Sequence, residues 1–283
     1  MHLSILQKKI IVGDDYSVVY RVDKLTECCI NPITGYGYDS SWIVLMLTGS
    51  EEYQFMCGSR NGCAYTIKVS RAKCDDWKMA VGDFISFNEA HEKNIILVLT
   101  ELEYKAVNVY YEGHHYNEPV LRKGEPLVLV HSTPMNSWKQ INQDGMLKSW
   151  NKLKAERAVE EEYPIGIQLG DPVDFSDYIM FGGGVTGEIV VNSKQQGKIT
   201  MDVNTDYLSG ARLYFNAEKM AQDGLLVRDG CHLKVKDTLP LEPYLLFAAT
   251  WENIGLASQV STPKIFSEKA DEAFKYIYQM GKQ

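Results

Sequence analysis

Residues 127–145 read LVLVHSTPMNSWKQINQDG, and the architecture of the chain turns on them. Leu127 to Val130 form an apolar run of strand length that ends directly in His131, Ser132 and Thr133. A helical stretch follows, with Met135, Trp138 and Ile141 at helix-like offsets. Asn136 or Ser137 is placed to cap its start and Gly145 to end it. A lone His closing a buried strand is often a satisfied core residue. Here the Ser-Thr that follows, and a helix with its terminal glycine, favour a functional His131.

Outward from this unit the pattern differs on the two sides. Residues 1–120 read as short strands rich in β-branched and aromatic residues: KKIIVG, YSVVYRV, SWIVLMLTG, EYQFMCG, AYTIKVS, DFISF, NIILVLTELEY and AVNVYYE. Their spacing predicts a small β-rich barrel or sandwich. Tyr104, Tyr110, Tyr111 and Tyr116 are read chiefly as strand formers rather than as a surface for stacking bases. After the central unit come a solvated helix in KLKAERAVEEEY and a strand in SDYIMF. The glycine run GGGVTG leads into a predicted hairpin of EIVVNS and KITMDVN. GARLYFNAEK, LLVRDGCHLKV and EPYLLFAATW follow, and then a terminal amphipathic helix capped by Ser267. The fold expected is α+β, with domains at 1–120 and 121–283.

Composition bounds the function. Of 283 residues, 29 are Lys or Arg and 37 Asp or Glu, for a net charge of −8; 45% are hydrophobic and 23% charged, as in folded proteins. No apolar run has the roughly 18–20 residues of a membrane helix. The opening MHLSILQKKI has its basic pair after the apolar stretch, the wrong order for a secretory signal, so a cytoplasmic protein with no membrane partner is expected. The charge is uneven. Residues 121–160 hold 7 basic and 4 acidic residues, a local +3 between two acidic flanks. Broad binding to nucleic acid is disfavoured, while a local site is allowed. The six cysteines (28, 29, 57, 63, 74 and 231) form no C-x-x-C pair, and no His stands at short zinc-site spacing. They are read as free, mostly buried thiols, with no metal site. His114 and His115 are read as part of a solvated loop.

The strand, the His-Ser-Thr and a helix ending Ile141–Gly145 resemble the first motif of the ADP-ribosyltransferase superfamily. The later order ITMDVN, GARLYFN and DGCHLKVKDTLPLEPYL resembles its RNA 2′-phosphotransferase branch, and GDPVDFSDYIMF is similar to DarT-type DNA-modifying toxins. The resemblance spans residues 126–247. It implies a mixed split-sheet catalytic domain that uses NAD as substrate. His131 would bond a ribose hydroxyl, the Ser132 backbone would hold the carboxamide, and Thr133 would buttress the strand end. Tyr178, and next Phe181, would stack on nicotinamide, and Arg228 would bind a phosphate. Gly182 to Gly184 would allow close backbone approach to the cofactor, or simply form a tight turn. At the motif position where many transferases carry Glu, this chain has Cys231, so Glu188, ahead of Glu242, is the expected substitute carboxylate.

The resemblance further implies transfer of ADP-ribose to a macromolecule, RNA or DNA somewhat ahead of protein, as in toxin–antitoxin or antiphage systems with a neutralising antitoxin protein. The β-rich domain would then recognise target or partner. Three rivals stand beside it. A true RNA 2′-phosphotransferase is weakened because Val130, not Arg, precedes His131. An inactive binding module is kept by the missing motif Glu. A dinucleotide-fold oxidoreductase would use the G-x-G-x-x-G of Gly182, Gly184 and Gly187, with Asp202 downstream. The β-branched run after those glycines reads as a strand rather than as the crossover helix that such a fold needs.

Overall fold

The computed structural model describes residues 3–7, 10–13, 21–22, 29–31, 33–59, 63–169 and 171–280. The chain is mixed α+β and divides into two compact units. The first comprises Met1–Glu118 with Leu169–Val173 and Val227–Leu233; the second comprises Pro119–Gln168, Asp174–Leu226 and Lys234–Gln283.

In the first unit the strands are β1 (Leu3–Gln7), β2 (Ile10–Gly13), β3 (Arg21–Val22), β4 (Cys29–Ile30), β5 (Trp42–Thr48), β6 (Phe55–Gly58), β7 (Tyr65–Ser70) and β8 (Asn94–Val98). The helices are α1 (Trp77–Ala90) and α2 (Glu101–Tyr111). Six strands make one sheet in the order β1-β2-β8-β5-β7-β6. Its four inner strands are parallel, and β1 and β6 run antiparallel at the edges. Ile43 to Leu47 of β5 are all buried, as a central parallel strand covered on both faces requires.

Among the described residues the expected barrel or sandwich is therefore replaced by an open six-stranded sheet with helices, beside a small β3–β4 pair. Two segments read as strands are helical. In DFISF, Phe84 and Phe87 join Ala80 and Val81 on the buried side of α1, a spacing that a five-residue window misses. In AVNVYYE, Val107 continues a face begun by Tyr104 in α2. That helix starts with a capping box: Glu103 N donates to Thr100 Oγ1 at 3.2 Å, and Thr100 N to Glu103 Oε2 at 2.8 Å. Tyr104, Tyr110 and Tyr111 thus lie on a helix. Of the predicted strand YSVVYRV, residues 16–20 lie outside the described residues, as does Cys28. Cys29 and Cys63 are not free thiols but are joined as a disulfide, and Cys57 is exposed rather than buried.

The second unit contains β9 (Val128–Thr133), α3 (Met135–Asp144), β10 (Met146–Lys148), α4 (Trp150–Ala155), β11 (Tyr178–Met180), α5 (Thr186–Gln196), β12 (Tyr207–Leu208), β13 (Ala211–Asn216) and α6 (Ala217–Gln222). Beyond β14 (Leu226–Arg228) follow β15 (Leu233–Lys236), β16 (Thr238–Pro240), β17 (Leu245–Thr250), β18 (Val260–Ser261) and α7 (Pro263–Met280). The central sheet is β17-β13-β9, antiparallel throughout. Gly145 ends α3 in the left-handed conformation at φ 66°. A Cβ at Gly210 would stand 1.9 Å from the Thr133 carbonyl oxygen, so only glycine permits this approach to the end of β9. The α7 helix covers one sheet face, stacking Phe274 on Tyr214 with ring centroids 4.3 Å apart beside Ala249 and Ala270.

Here too the predictions need correction. EIVVNS is not half of a hairpin; it lies in α5, where Glu188, Val191 and Asn192 share the buried side and Gly197 closes the helix. KITMDVN is not a strand. Asp202 and Asn204 sit in a local turn in which Asn204 N donates to Asp202 Oδ1 at 2.9 Å, an alternative to ladder pairing. Ser267 lies inside α7; at the helix start, Thr262 Oγ1 accepts from Ile265 N at 3.2 Å. The glycines at 182–187 do lie between a strand and a helix, but β11 pairs antiparallel with β15. The pairs β9–β13, β13–β17, β10–β16 and β12–β18 are antiparallel as well. A dinucleotide fold needs parallel strands there.

In the first unit Gly82 of α1 lies under the Tyr111 ring, where a Cβ would come within 2.2 Å, and Tyr111 OH donates to Asp83 at 2.8 Å. Gly82→Ala is expected to destabilise by about 1–3 kcal/mol through overpacking. In a Tyr111→Ala background the same substitution should stabilise, by up to about 1 kcal/mol from helix propensity. Urea unfolding of the four variants reads this change of sign.

Candidate active site

The site is set by the two-residue period of β9. Val128 and Val130 pack on one face toward α7, and Ser132 continues that face; Leu129, His131 and Thr133 alternate to the other. On the first face, Ser132 Oγ donates to Glu188 Oε1 at 2.6 Å, and Arg212 Nη1 donates to Glu188 Oε2 at 2.7 Å. Arg212 is the register partner of Ser132 on β13. Both members of the ion pair are 1% exposed. Arg212 Nε also donates to Tyr214 OH and Asp271 Oδ1, each at 3.1 Å, and Tyr214 OH donates to Asp271 Oδ1 at 2.8 Å. Burial pushes the Glu188 carboxyl above its ordinary range, against the pull of the Arg212 charge and the Ser132 hydroxyl.

On the other face, His131 Nδ1 lies 3.0 Å from the Met180 carbonyl oxygen. Burial holds the imidazole below its ordinary pKa, although the Met180 bond acts the other way, so the ring is neutral near pH 7. A carbonyl only accepts, hence Nδ1 carries the proton and Nε2 keeps a lone pair. Phe181 stands edge-on to His131 with centroids 6.3 Å apart, and Phe215 lies 5.9 Å behind Phe181. Gly182 N donates to the Val130 carbonyl at 2.9 Å, fastening the glycine run to β9. Gly187 allows α5 to close on the strand, since a Cβ there would lie 2.5 Å from Ser132 Oγ.

The structure therefore brings together His131, Ser132, Phe181, Gly182 and Glu188, with Thr133 buried at the strand end. Glu188 is enclosed, its two carboxylate oxygens taken by Ser132 and Arg212. Tyr178 is also buried, its ring centroid 4.5 Å from Lys234 Nζ, with Phe175 equally close to the same ammonium. Arg228 is built into the first unit, where its Nη1 donates to the Glu118 carbonyl at 3.3 Å. Cys231 also belongs to the first unit, and Glu242 is exposed. Sequence reasoning missed Arg212, Tyr214 and Asp271. The signal for Arg212 was its place as a lone cation within the apolar strand ARLYFN, whereas Asp271 pairs with it across 59 residues.

Comparison with family models, with curated proteins and with solved structures finds no match to the chain.

Arg212→Met leaves Glu188 buried without its cation and is expected to cost about 3–5 kcal/mol in urea unfolding. Adding Glu188→Gln should recover the greater part, because no buried charge remains; equal losses in both variants would refute the coupling. His131 adds a pH dependence. Its folded pKa is depressed, so below pH about 6.5 the unfolded chain binds a proton that the folded chain refuses. Stability from this group is full above that pH and is lost as pH falls. The stability difference between wild type and His131→Phe should therefore shrink on acidification, and a constant difference would contradict a buried neutral imidazole.

Proposed function

We propose that the second unit is an ADP-ribosyltransferase-like domain that transfers ADP-ribose from NAD to a macromolecule, with nucleic acid favoured over protein. The observation that carries this reading is His131. Its Nδ1–H is held on the Met180 carbonyl, its ring is kept neutral, and its Nε2 lone pair is left to accept from a hydroxyl. That is the role the resemblance gives this His toward a ribose. The Gly182–Gly184 run lies beside it, and Cβ atoms at Gly183 and Gly184 would meet nothing within 4 Å, so backbone approach by a dinucleotide is unhindered there.

In this reaction the glycosidic bond to nicotinamide breaks, nicotinamide leaves with the bonding pair, and the acceptor atom bonds the ribose carbon and releases its proton to water. This chain's residues orient and hold. His131 accepts a ribose hydroxyl bond, Phe181 offers an aromatic wall, and the Ser132–Glu188–Arg212 relay fixes the strand end. The first unit would recognise the target or a neutralising partner protein. Among the described residues no helix is long and apolar enough to cross a membrane.

The test is incubation of the full chain with NAD labelled in the adenylate, offered separately to RNA, DNA and cell protein. Label is expected in a nucleic acid pool with release of nicotinamide. His131→Ala should lower transfer about 10–100-fold, the cost of one lost and unsatisfied hydrogen bond. Label in no pool and no free nicotinamide would overturn the proposal, and conversion of NAD to its reduced form would favour an oxidoreductase instead.

A further inference from the structure

Among the described residues one cluster of metal-ligating side chains stands out, and it lies wholly within the first unit. The Sγ atoms of Cys57 and Cys231 and a ring nitrogen of His232 lie within 4.8 Å of one another. Cys57 Sγ is 3.8 Å from His232 Nε2, and Cys231 Sγ lies 3.1 Å from His232 Nδ1 and 3.5 Å from Nε2. Tetrahedral zinc with bonds of about 2.3 Å to sulfur and about 2.0–2.1 Å to nitrogen places S and N about 3.6 Å apart. The two sulfur distances to Nε2 are close to that edge, and the imidazole must turn its Nδ1 away from Cys231 for Nε2 to take the ion. Two thiolates and an imidazole form a soft, nitrogen-and-sulfur donor set suited to zinc rather than to magnesium or calcium.

The surroundings are those of a built site. His232 Nδ1, the nitrogen turned from Cys57, lies 3.1 Å from each carboxylate oxygen of Asp229. A carboxylate on the far nitrogen of a ligating His fixes its tautomer and orientation. Asp229 Oδ1 also accepts from the backbone N–H of Cys231 at 3.2 Å and of His232 at 2.9 Å, so one side chain shapes the whole loop. That loop is pressed on α1, since a Cβ at Gly230 would come within 2.8 Å of the Ala80 carbonyl oxygen and of Phe84 Cβ. Cys57 is delivered from the other side by β6, in register with Ile67 of β7. Asp171, on the second segment of this unit, is an electrostatic neighbour of both Cys57 and His232.

We propose that Cys57, Cys231 and His232 bind one zinc ion, with water as fourth ligand and Asp229 orienting the imidazole. The site ties the edge strand β6 to a loop 174 residues further along the chain.

The experiment is metal binding by the full-length protein, purified reduced and metal-free, using Zn²⁺ alone and Co²⁺ as a spectroscopic probe. One equivalent of Zn²⁺ is expected, and Co²⁺ should give thiolate-to-metal charge-transfer bands in the near ultraviolet with tetrahedral d–d bands. Cys57→Ser is exposed and isosteric, so it should fold and lose tight uptake together with part of the charge-transfer intensity. Cys231→Ser should do likewise. Asp229→Asn should weaken Zn²⁺ about 10–100-fold. Cys74→Ser, outside the cluster, should bind as wild type. Absence of stoichiometric uptake, uptake that survives Cys57→Ser and Cys231→Ser, or bound cobalt lacking thiolate bands would each overturn the proposal.

Discussion

The ion pair between Glu188 and Arg212, 2.7 Å long and closed to solvent, is the constraint on which the second unit depends. Two charges taken from water are costly, and their attraction compensates only when the remaining hydrogen-bonding groups are also satisfied. Here the second Glu188 oxygen takes the Ser132 hydroxyl, and Arg212 takes Tyr214 and Asp271. The partners come from four elements, so β9, β13, α5 and α7 must all be in place before the charges are compensated. A half-assembled unit would bury a bare charge. The pair therefore favours one arrangement over near alternatives more than it adds net stability.

That arrangement serves the opposite face of the same strand. Ser132 is held from behind, and His131, its neighbour, is consequently fixed in front with its donor nitrogen on Met180. Gly182 and Gly187 let the glycine run and α5 approach β9 at backbone distance. Positioning of an imidazole to within a fraction of an ångström is what binding or catalysis asks of a scaffold. In this unit the strand end is held by a polar layer whose central pair, Glu188 and Arg212, is closed to solvent.

Much of this was legible in sequence where one short window held the whole signal. The strand into His131, the helix after it and the left-handed Gly145 are all local. The failures share a physical cause. Ile189, Val190 and Val191 have strand propensity, yet the burial of Glu188, Val191 and Asn192 on one side of α5 overrides it. DFISF looks like alternation over five residues and is one side of a helix over fourteen. Glu188 was picked out as a carboxylate near the glycines, but its pairing with Arg212 was not, because it joins α5 to β13 across 24 residues and only packing brings the two together. Likewise Cys57 and His232, 175 residues apart, show no motif spacing; only the first unit's tertiary structure makes them neighbours.

The interleaving of the two units has a consequence for the order in which the chain takes shape. The first unit borrows Leu169–Val173 and Val227–Leu233 from beyond its main body. During synthesis, when domains tend to fold from the N-terminus onward, it must wait for residue 233, by which time most of the second unit has emerged. Completion of the first unit is thus timed by the C-terminal half, although its six-stranded sheet lies within residues 3–98, and a chain arrested before residue 227 would present α1 without the loop that rests on it.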